Sequence, residues 1–209
     1  MGIYGRFCVI NYFKYTKKET EYLKKRDPIL GAEIDRIGMV KREVEPDIFK
    51  SLISSIISQQ ISTKAAITVK DRLDKIIGTI TPENIEKTEL ESMQQCGLSF
   101  RKAEYIKGIA EAAVSKTINF EGLHKLSDEE IIKELVKLKG VGEWTAEMML
   151  IHSLQRPNIL SFKDLGIRRG IMKLYDLQDL TKIEFQKYRE RYSPYCTVAS
   201  LYLWEISSV

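Results

Sequence analysis

From Thr16 almost to the end of the chain, apolar side chains recur at three- and four-residue spacing in short runs. Each run is closed by a glycine, a proline or a capping serine or threonine. Residues at that spacing share one stripe of an α-helix, whereas a half-buried strand would alternate. Asp47–Ser58 shows the stripe with Phe49, Leu52, Ile53, Ile56 and Ile57. The helix opened by Ser62 and Thr63 carries Ala65, Ala66, Val69 and Leu73 to Ile77, where Gly78 stops it. The same reading predicts helices over Thr16–Arg26, from Pro28 to Gly38, from Thr81-Pro82, and from Thr88 to Cys96-Gly97. Further helices follow from Ser99 past Ala113, and from the capping box Ser127-Asp128-Glu129-Glu130 to about Leu138. The last four run from Glu143 to about Leu154, from Asp164 to about Tyr175, over Ile183–Tyr192 and over Thr197–Ile206. Only residues 1–15, with their aromatic and β-branched neighbours, read as an extended arm or a short strand pair. No internal repeat appears.

The pattern therefore predicts an all-α globule of many short helices. A chain of 209 residues, 44% of them hydrophobic, can bury a core in one large domain or two small helical lobes around a shared cleft. The organisation expected is an N-terminal arm over 1–15 and a two-lobed helical domain over 16–209.

Charge narrows the partner less. A formal net charge of +4 permits a nucleic-acid partner without demanding one. Cys8, Cys96 and Cys196 are odd in number, far apart, and show no CxxC spacing, so neither zinc nor an iron–sulfur cluster is supported. They read as small buried hydrophobes in a reducing compartment. The apolar run Phe7–Phe13 is too short to span a bilayer and lacks a cleavage pattern, and Arg6 occupies the place where a myristoylation motif needs Ser or Thr. A cytoplasmic protein is expected.

The most informative stretch is Leu138-Lys139-Gly140-Val141-Gly142, a tight turn between two helices. Glycines let the backbone turn sharply and approach a neighbour closely. The N–H groups opening the next helix, Glu143-Trp144-Thr145-Ala146, then point outward as an anion site, for which a DNA phosphate is a natural ligand. A plain αα-hairpin explains the same five residues. Asp164 follows Gly142 by 22 positions, in Phe162-Lys163-Asp164-Leu165-Gly166-Ile167-Arg168-Arg169. By its position alone it is a helix N-cap, and Lys163, Arg168 and Arg169 are either a solvated face or phosphate ligands.

Together, the hairpin, the aspartate and their spacing resemble the helix-hairpin-helix (HhH-GPD) DNA glycosylase superfamily, over roughly residues 16–206. The resemblance implies an all-α fold of two lobes with a helix-hairpin-helix motif and a central active-site cleft. It implies that Asp164 is the catalytic carboxylate, since breaking an N-glycosidic bond builds positive charge on the deoxyribose. Lys139, Gly140, Val141, Gly142, Thr145, Arg168 and Arg169 become candidate DNA contacts. The carbonyls of Val136, Leu138 and Val141 become candidate ligands of a structural Na+ or K+, with no cofactor required for catalysis.

Bifunctional members of the superfamily place a lysine nucleophile two residues after the last hairpin glycine. Trp144 stands there in this chain, which indicates a plain hydrolase. The four-cysteine cluster of the endonuclease III branch is also missing. Trp144 and Trp204 are similar to tryptophans of the 3-methyladenine DNA glycosylase II branch. They would form a pocket for cationic bases through stacking and cation–π attraction, although helical tryptophans are also common in cores. Ser58-Gln59-Gln60-Ile61-Ser62 resembles the family's intercalating loop but has Gln60 where a bacterial relative has leucine. The plug would be Gln60 or Ile61, unless the segment is only a cap at Ser62 with two exposed glutamines. His124 and His152 read as surface or packing residues. The additional N-terminal α/β domain of that relative has no counterpart in the residues before Thr16.

The function these features imply is a monofunctional glycosylase for alkylated bases in base-excision repair. It would act as a monomer on double-stranded DNA carrying damaged bases, away from any membrane. A glycosylase for deaminated or oxidised bases is the nearest alternative. A non-catalytic DNA-binding module leaves Asp164 unexplained.

Overall fold

A computed structural model describes residues 10–208, so Cys8, the start of the N-terminal apolar run and most of the expected arm lie outside the described residues. In chain order the elements are β1 (Asn11–Tyr12), α1 (Lys17–Arg26), α2 (Pro28–Ile37), β2 (Glu43–Val44), α3 (Ile48–Ser58), α4 (Thr63–Ile77), α5 (Pro82–Lys87) and α6 (Leu90–Gln95). They continue with α7 (Phe100–Val114), a 3₁₀ turn over Phe120–Lys125, α8 (Asp128–Leu135), α9 (Glu143–His152), α10 (Leu165–Leu174), α11 (Lys182–Tyr192) and α12 (Cys196–Ser208). The fold is all-α, as the periodicity predicts.

The helix starts are fixed locally. Thr16, Ser127 and Thr181 each form a capping box with a glutamate three residues on, which satisfies two orphan N–H groups at once. Pro28 and Pro82 sit in the first turn behind side-chain caps from Asp27 and Thr81.

Two expectations gain detail. The extended N-terminal segment pairs outside itself: Asn11 lies opposite Val44 and Tyr12 opposite Glu43, in a two-residue antiparallel ladder. Phe13 is buried in a core cluster and Tyr15 Oη donates to the Val40 carbonyl, so residues 10–15 are tied down. The helix opened by Ser127 ends at Leu135, because turn bonds from Lys137 N–H to Glu134 and from Leu138 N–H to Leu135 tighten the chain early.

The chain divides into two compact units. One runs from Asp47 to Leu154, and the other is built from the chain on either side of it. In the inner unit, α3 packs on α4, α7 and α9 through Leu52, Ile53, Ile56 and Ile57, all essentially without exposure. Full burial of each such side chain contributes about 1.5–3 kcal/mol. In the flanking unit, α12 is apolar on every side and buried from Cys196 to Leu203, with α1, α2, α10 and α11 packed around it. No described helix is long and apolar enough to cross a membrane. Cys96 and Cys196 are buried free thiols.

One buried charge braces the flanking unit. Asp27, 2% exposed, caps α2 with Oδ1 and accepts from Tyr175 Oη and Arg191 Nη1 with Oδ2. Burial alone would raise its carboxyl, but the donors on Arg191, Tyr175 and the Leu30 amide outweigh it and hold the group below the ordinary carboxylate range. A depressed acid stabilises the fold above its unfolded value, near 4, and that contribution is lost as pH falls through the folded value. Asp27→Asn is therefore expected to lower the melting temperature at neutral pH and to flatten its fall in acid. Parallel acid-melting curves for the two proteins would assign the dependence elsewhere.

Candidate active site and nucleic-acid interface

The two glycines of the hairpin differ in kind. Gly140 has φ of 85°, the left-handed region, and a Cβ there would lie 2.3 Å from the Tyr105 ring. Both backbone and neighbour demand glycine. Gly142 has φ of −89° and ψ of 172°, open to any residue, and a Cβ there would meet nothing within 4 Å. Among the described residues nothing requires glycine at 142. The turn is closed by Val141 N–H donating to the Leu138 carbonyl at 3.1 Å. Gly142 is the N-cap of α9 and supplies no side-chain cap hydrogen bond.

Around this turn, Lys139 is exposed. Thr145, in the first turn of α9, is 4% exposed. Trp144, in the first turn of α9, keeps 40% of its surface exposed. A large ring left that open is not a core residue.

The segment Gln59–Ile61 follows α3 and is held from several sides. Gln59 N–H reaches the Ser55 and Ile56 carbonyls, and Ile61 N–H reaches that of Ser58. The Gln59 side-chain Nε2 donates to the Gly140 carbonyl at 3.1 Å, which ties this loop to the hairpin. Gln60 is exposed and has φ of 58°. Such a conformation is uncommon for a residue with a Cβ. Ile61 instead lines an open groove of about 340 Å³ between α3 and α4, with Ile57, Ala66 and Ile67. Ser62 caps α4 through a bond from Ala65 N–H.

Asp164 is the N-cap of α10, 6% exposed. Its Oδ1 accepts from Ile167 N–H at 2.8 Å and from Trp204 Nε1–H at 2.9 Å. The capping role leaves room for a chemical one, since the carboxylate is held in place at a helix start. Trp204 lies half-buried, its indole N–H on Asp164 and the Arg42 guanidinium 5.3 Å from its ring centre. Arg42 is in turn paired with Glu205 at 3.1 Å. The sequence reading placed Trp204 as a pocket wall; the structure gives it a contact with the carboxylate itself.

Gly166 makes that contact possible, because a Cβ there would come within 2.8 Å of the Trp204 ring and 3.2 Å of Asp164 Oδ1. Gly170, one turn on, lets α10 approach the backbone of α12: its Cβ would lie 2.3 Å from the Leu203 carbonyl oxygen. These two glycines, four residues apart on one helix face, were readable as a small-residue stripe. The two arginines after Asp164 differ. Arg168 is half-buried with its guanidinium 4.9 Å from the Phe162 ring centre, whereas Arg169 is exposed. His124 is exposed, its Nδ1 on the Glu121 carbonyl, and His152 is half-buried at the end of α9.

A sequence model described as "HhH-GPD superfamily base excision DNA repair protein" matches residues 53–194. DNA-3-methyladenine glycosylase 1 of Schizosaccharomyces pombe is 39% identical over 166 residues, which is 77% of this chain and 73% of that protein. Among solved structures, a DNA-3-methyladenine glycosidase of Bacillus halodurans superposes with a TM-score of 0.85 at 34% identity, covering 95% of this chain and 93% of that one. The 3-methyladenine DNA glycosylase of S. pombe, solved in complex with abasic DNA, superposes at 0.81 with 34% identity, covering 92% and 97%.

Proposed function

Since the chain belongs to the HhH-GPD superfamily of base excision DNA repair proteins, we propose that it is a monofunctional DNA glycosylase for alkylated bases of the 3-methyladenine and 7-methylguanine type, with Asp164 as the catalytic carboxylate. The observation that carries this reading is the fixed, buried Asp164, whose Oδ1 is held by the Ile167 and Trp204 N–H groups. In the reaction the C1′–N bond breaks and its electron pair leaves with the base. A base already cationic departs neutral and needs no general acid. Water bonds to C1′ through oxygen and passes a proton to the Asp164 carboxylate, which first stabilises the positive sugar and orients that water. No lysine stands at position 144 to form a covalent intermediate, so hydrolysis is the expected outcome.

The inner unit supplies the grip. We assign the α9 N-terminus, Gly142 and Lys139 to a DNA phosphate, while Arg168 and Arg169 of the flanking unit are separate candidate phosphate contacts. Gln60, exposed at a left-handed turn, is the plug for the vacated stack in preference to Ile61, which lines the groove. Trp144 offers a ring on which an electron-poor base can stack, worth about 1–3 kcal/mol.

A monovalent cation, Na+ or K+, fits the hairpin. The carbonyls in question are those of Val136, Leu138 and Val141, at or beside the turn that Val141 N–H closes by donating to Leu138. These three hard oxygens would hold the ion, which would add positive charge beside the phosphate. The partner we propose is double-stranded DNA with damaged bases, and the setting is the cytoplasm, where unpaired cysteines such as Cys96 and Cys196 stay reduced.

Chromatography of bases released from a panel of duplexes, each with one methylated, deaminated or oxidised base, tests the substrate class. Preferential release of 3-methyladenine or 7-methylguanine is expected; preference for an uncharged lesion would reject the cationic-base reading. The phosphate assignment has its own test. Gly142→Ala should leave the melting temperature nearly unchanged yet weaken duplex binding about tenfold, as a methyl intrudes where backbone meets phosphate. Gly140→Ala should instead lower the melting temperature, because it strains the turn and strikes Tyr105. Unchanged anisotropy titrations for Gly142→Ala would detach the turn from DNA.

A further inference from the structure

Lys102, on the first turn of α7, does something the reaction scheme does not use. Its Nζ donates to the Ile57 carbonyl at 2.8 Å and also to the Gln59 carbonyl. The last carbonyls of α3 are thereby accounted for: those of Ser55 and Ile56 take Gln59 N–H, that of Ser58 takes Ile61 N–H, and that of Ile57 takes the lysine. A cation at a helix C-terminus also opposes the negative end of its dipole. The ammonium is half-buried, and burial pushes it below the ordinary lysine range.

We propose that Lys102 is a positioning residue for duplex opening: it locks the carbonyls of Ile57 and Gln59, so that Gln59 can hold Gly140 and Gln60 is presented outward from a fixed base. The proposal rests on the reading of Gln60 as the plug. Three contacts converge on this short loop from different elements: Lys102 of α7 on Ile57, Lys102 on Gln59, and Gln59 on Gly140 of the hairpin. A plug is effective only if its base does not yield when the stack pushes back. Holding the loop to the phosphate-binding turn makes grip and wedge one rigid piece within the inner unit.

The protein carries its own control. Lys107, also on α7, donates through Nζ to the carbonyls of Glu86 and Thr88, the latter at 2.7 Å, at the end of α5. The chemistry is the same, a half-buried lysine on two carbonyls at a helix terminus, but no contact with the loop follows from it. If Lys102 only stabilises, removing either lysine should have the same consequences.

The experiment uses Asp164→Asn as the parent, so that the base stays in place, on a duplex with 2-aminopurine beside 7-methylguanine. The fluorescence rise on binding reads unstacking, and circular dichroism gives the melting temperature. Adding Lys102→Met should cut the opening equilibrium about tenfold. Lys102→Arg, which keeps the donors, should recover part of it, while Lys107→Met should lower the melting temperature with opening unchanged. Gln59→Leu, which severs only the tie to Gly140, should weaken opening in a protein that keeps the lysine. Opening unchanged by Lys102→Met, or lowered equally by Lys107→Met, overturns the proposal. If Lys102→Met does not fold, unchanged opening in Gln59→Leu overturns it. Base release by the wild type separates the cases. Release with opening indifferent to Lys102 removes this inference alone, whereas no release and no opening removes the glycosylase reading with it.

Discussion

Replacing Asp164 with asparagine is expected to lower the single-turnover rate of base release about a thousandfold while leaving the fold intact. Opposite unit charges at about 4 Å in a medium of effective dielectric near 20 attract by about 4 kcal/mol, or roughly three decades of rate. Asparagine keeps an oxygen for the Ile167 and Trp204 donors, so the cap of α10 and the indole contact persist. Duplex affinity should change little if, as proposed, the charge acts on the sugar in the transition state. Measured under saturating protein on a 7-methylguanine duplex, a rate within tenfold of wild type would remove Asp164 from the chemistry.

The second large effect is structural. Gly170→Ala should destabilise the flanking unit by about 3 kcal/mol or more, because the new methyl would sit 2.3 Å from a main-chain carbonyl oxygen of α12. A flexible side chain could swing away, but backbone cannot. To relieve the clash α10 must move off α12, and Asp164 and Trp204 are on those two helices. Activity should therefore fall together with the melting temperature. Gly108→Ala is the comparison: that glycine is in α7 and a Cβ there would meet nothing within 4 Å, so alanine should be neutral or stabilising through its helix propensity. Equal melting curves for Gly170→Ala and wild type would show that the approach of the two helices is not tight.

What the sequence reveals follows the range of the interaction. Helices and their starts are legible because stripes and caps act within a turn. The Ser127–Glu130 box shows this, and the same pattern at Thr16–Glu19 and Thr181–Glu184 was equally available. Asp164 is legible as a cap from its neighbours and as a candidate catalytic group only through the hairpin before it. Its bond to Trp204 spans forty positions, and no local rule says which helix faces bring the two together. The pairing of Asn11 with Val44 is hidden for the same reason, with the further difficulty that two residues give no alternation to detect. Lys102 carries no signal at all, since its partners are main-chain oxygens that any sequence possesses. The glycines are intermediate: both hairpin positions stand out in the sequence, but only coordinates separate Gly140, which the protein itself requires, from Gly142, which it does not.

The insertion of residues 47–154 within a unit assembled from the chain on both sides has a consequence for synthesis. Translation proceeds from the N-terminus, and a domain can fold once its own residues have emerged. The inner unit, with the hairpin and the Gln59–Ile61 loop, can therefore form while the ribosome is still making α10 to α12. The other must keep its early helices waiting until its central helix arrives. A nascent chain of this protein completes the Gly140–Gly142 hairpin before it completes the helices that hold Asp164 and Trp204.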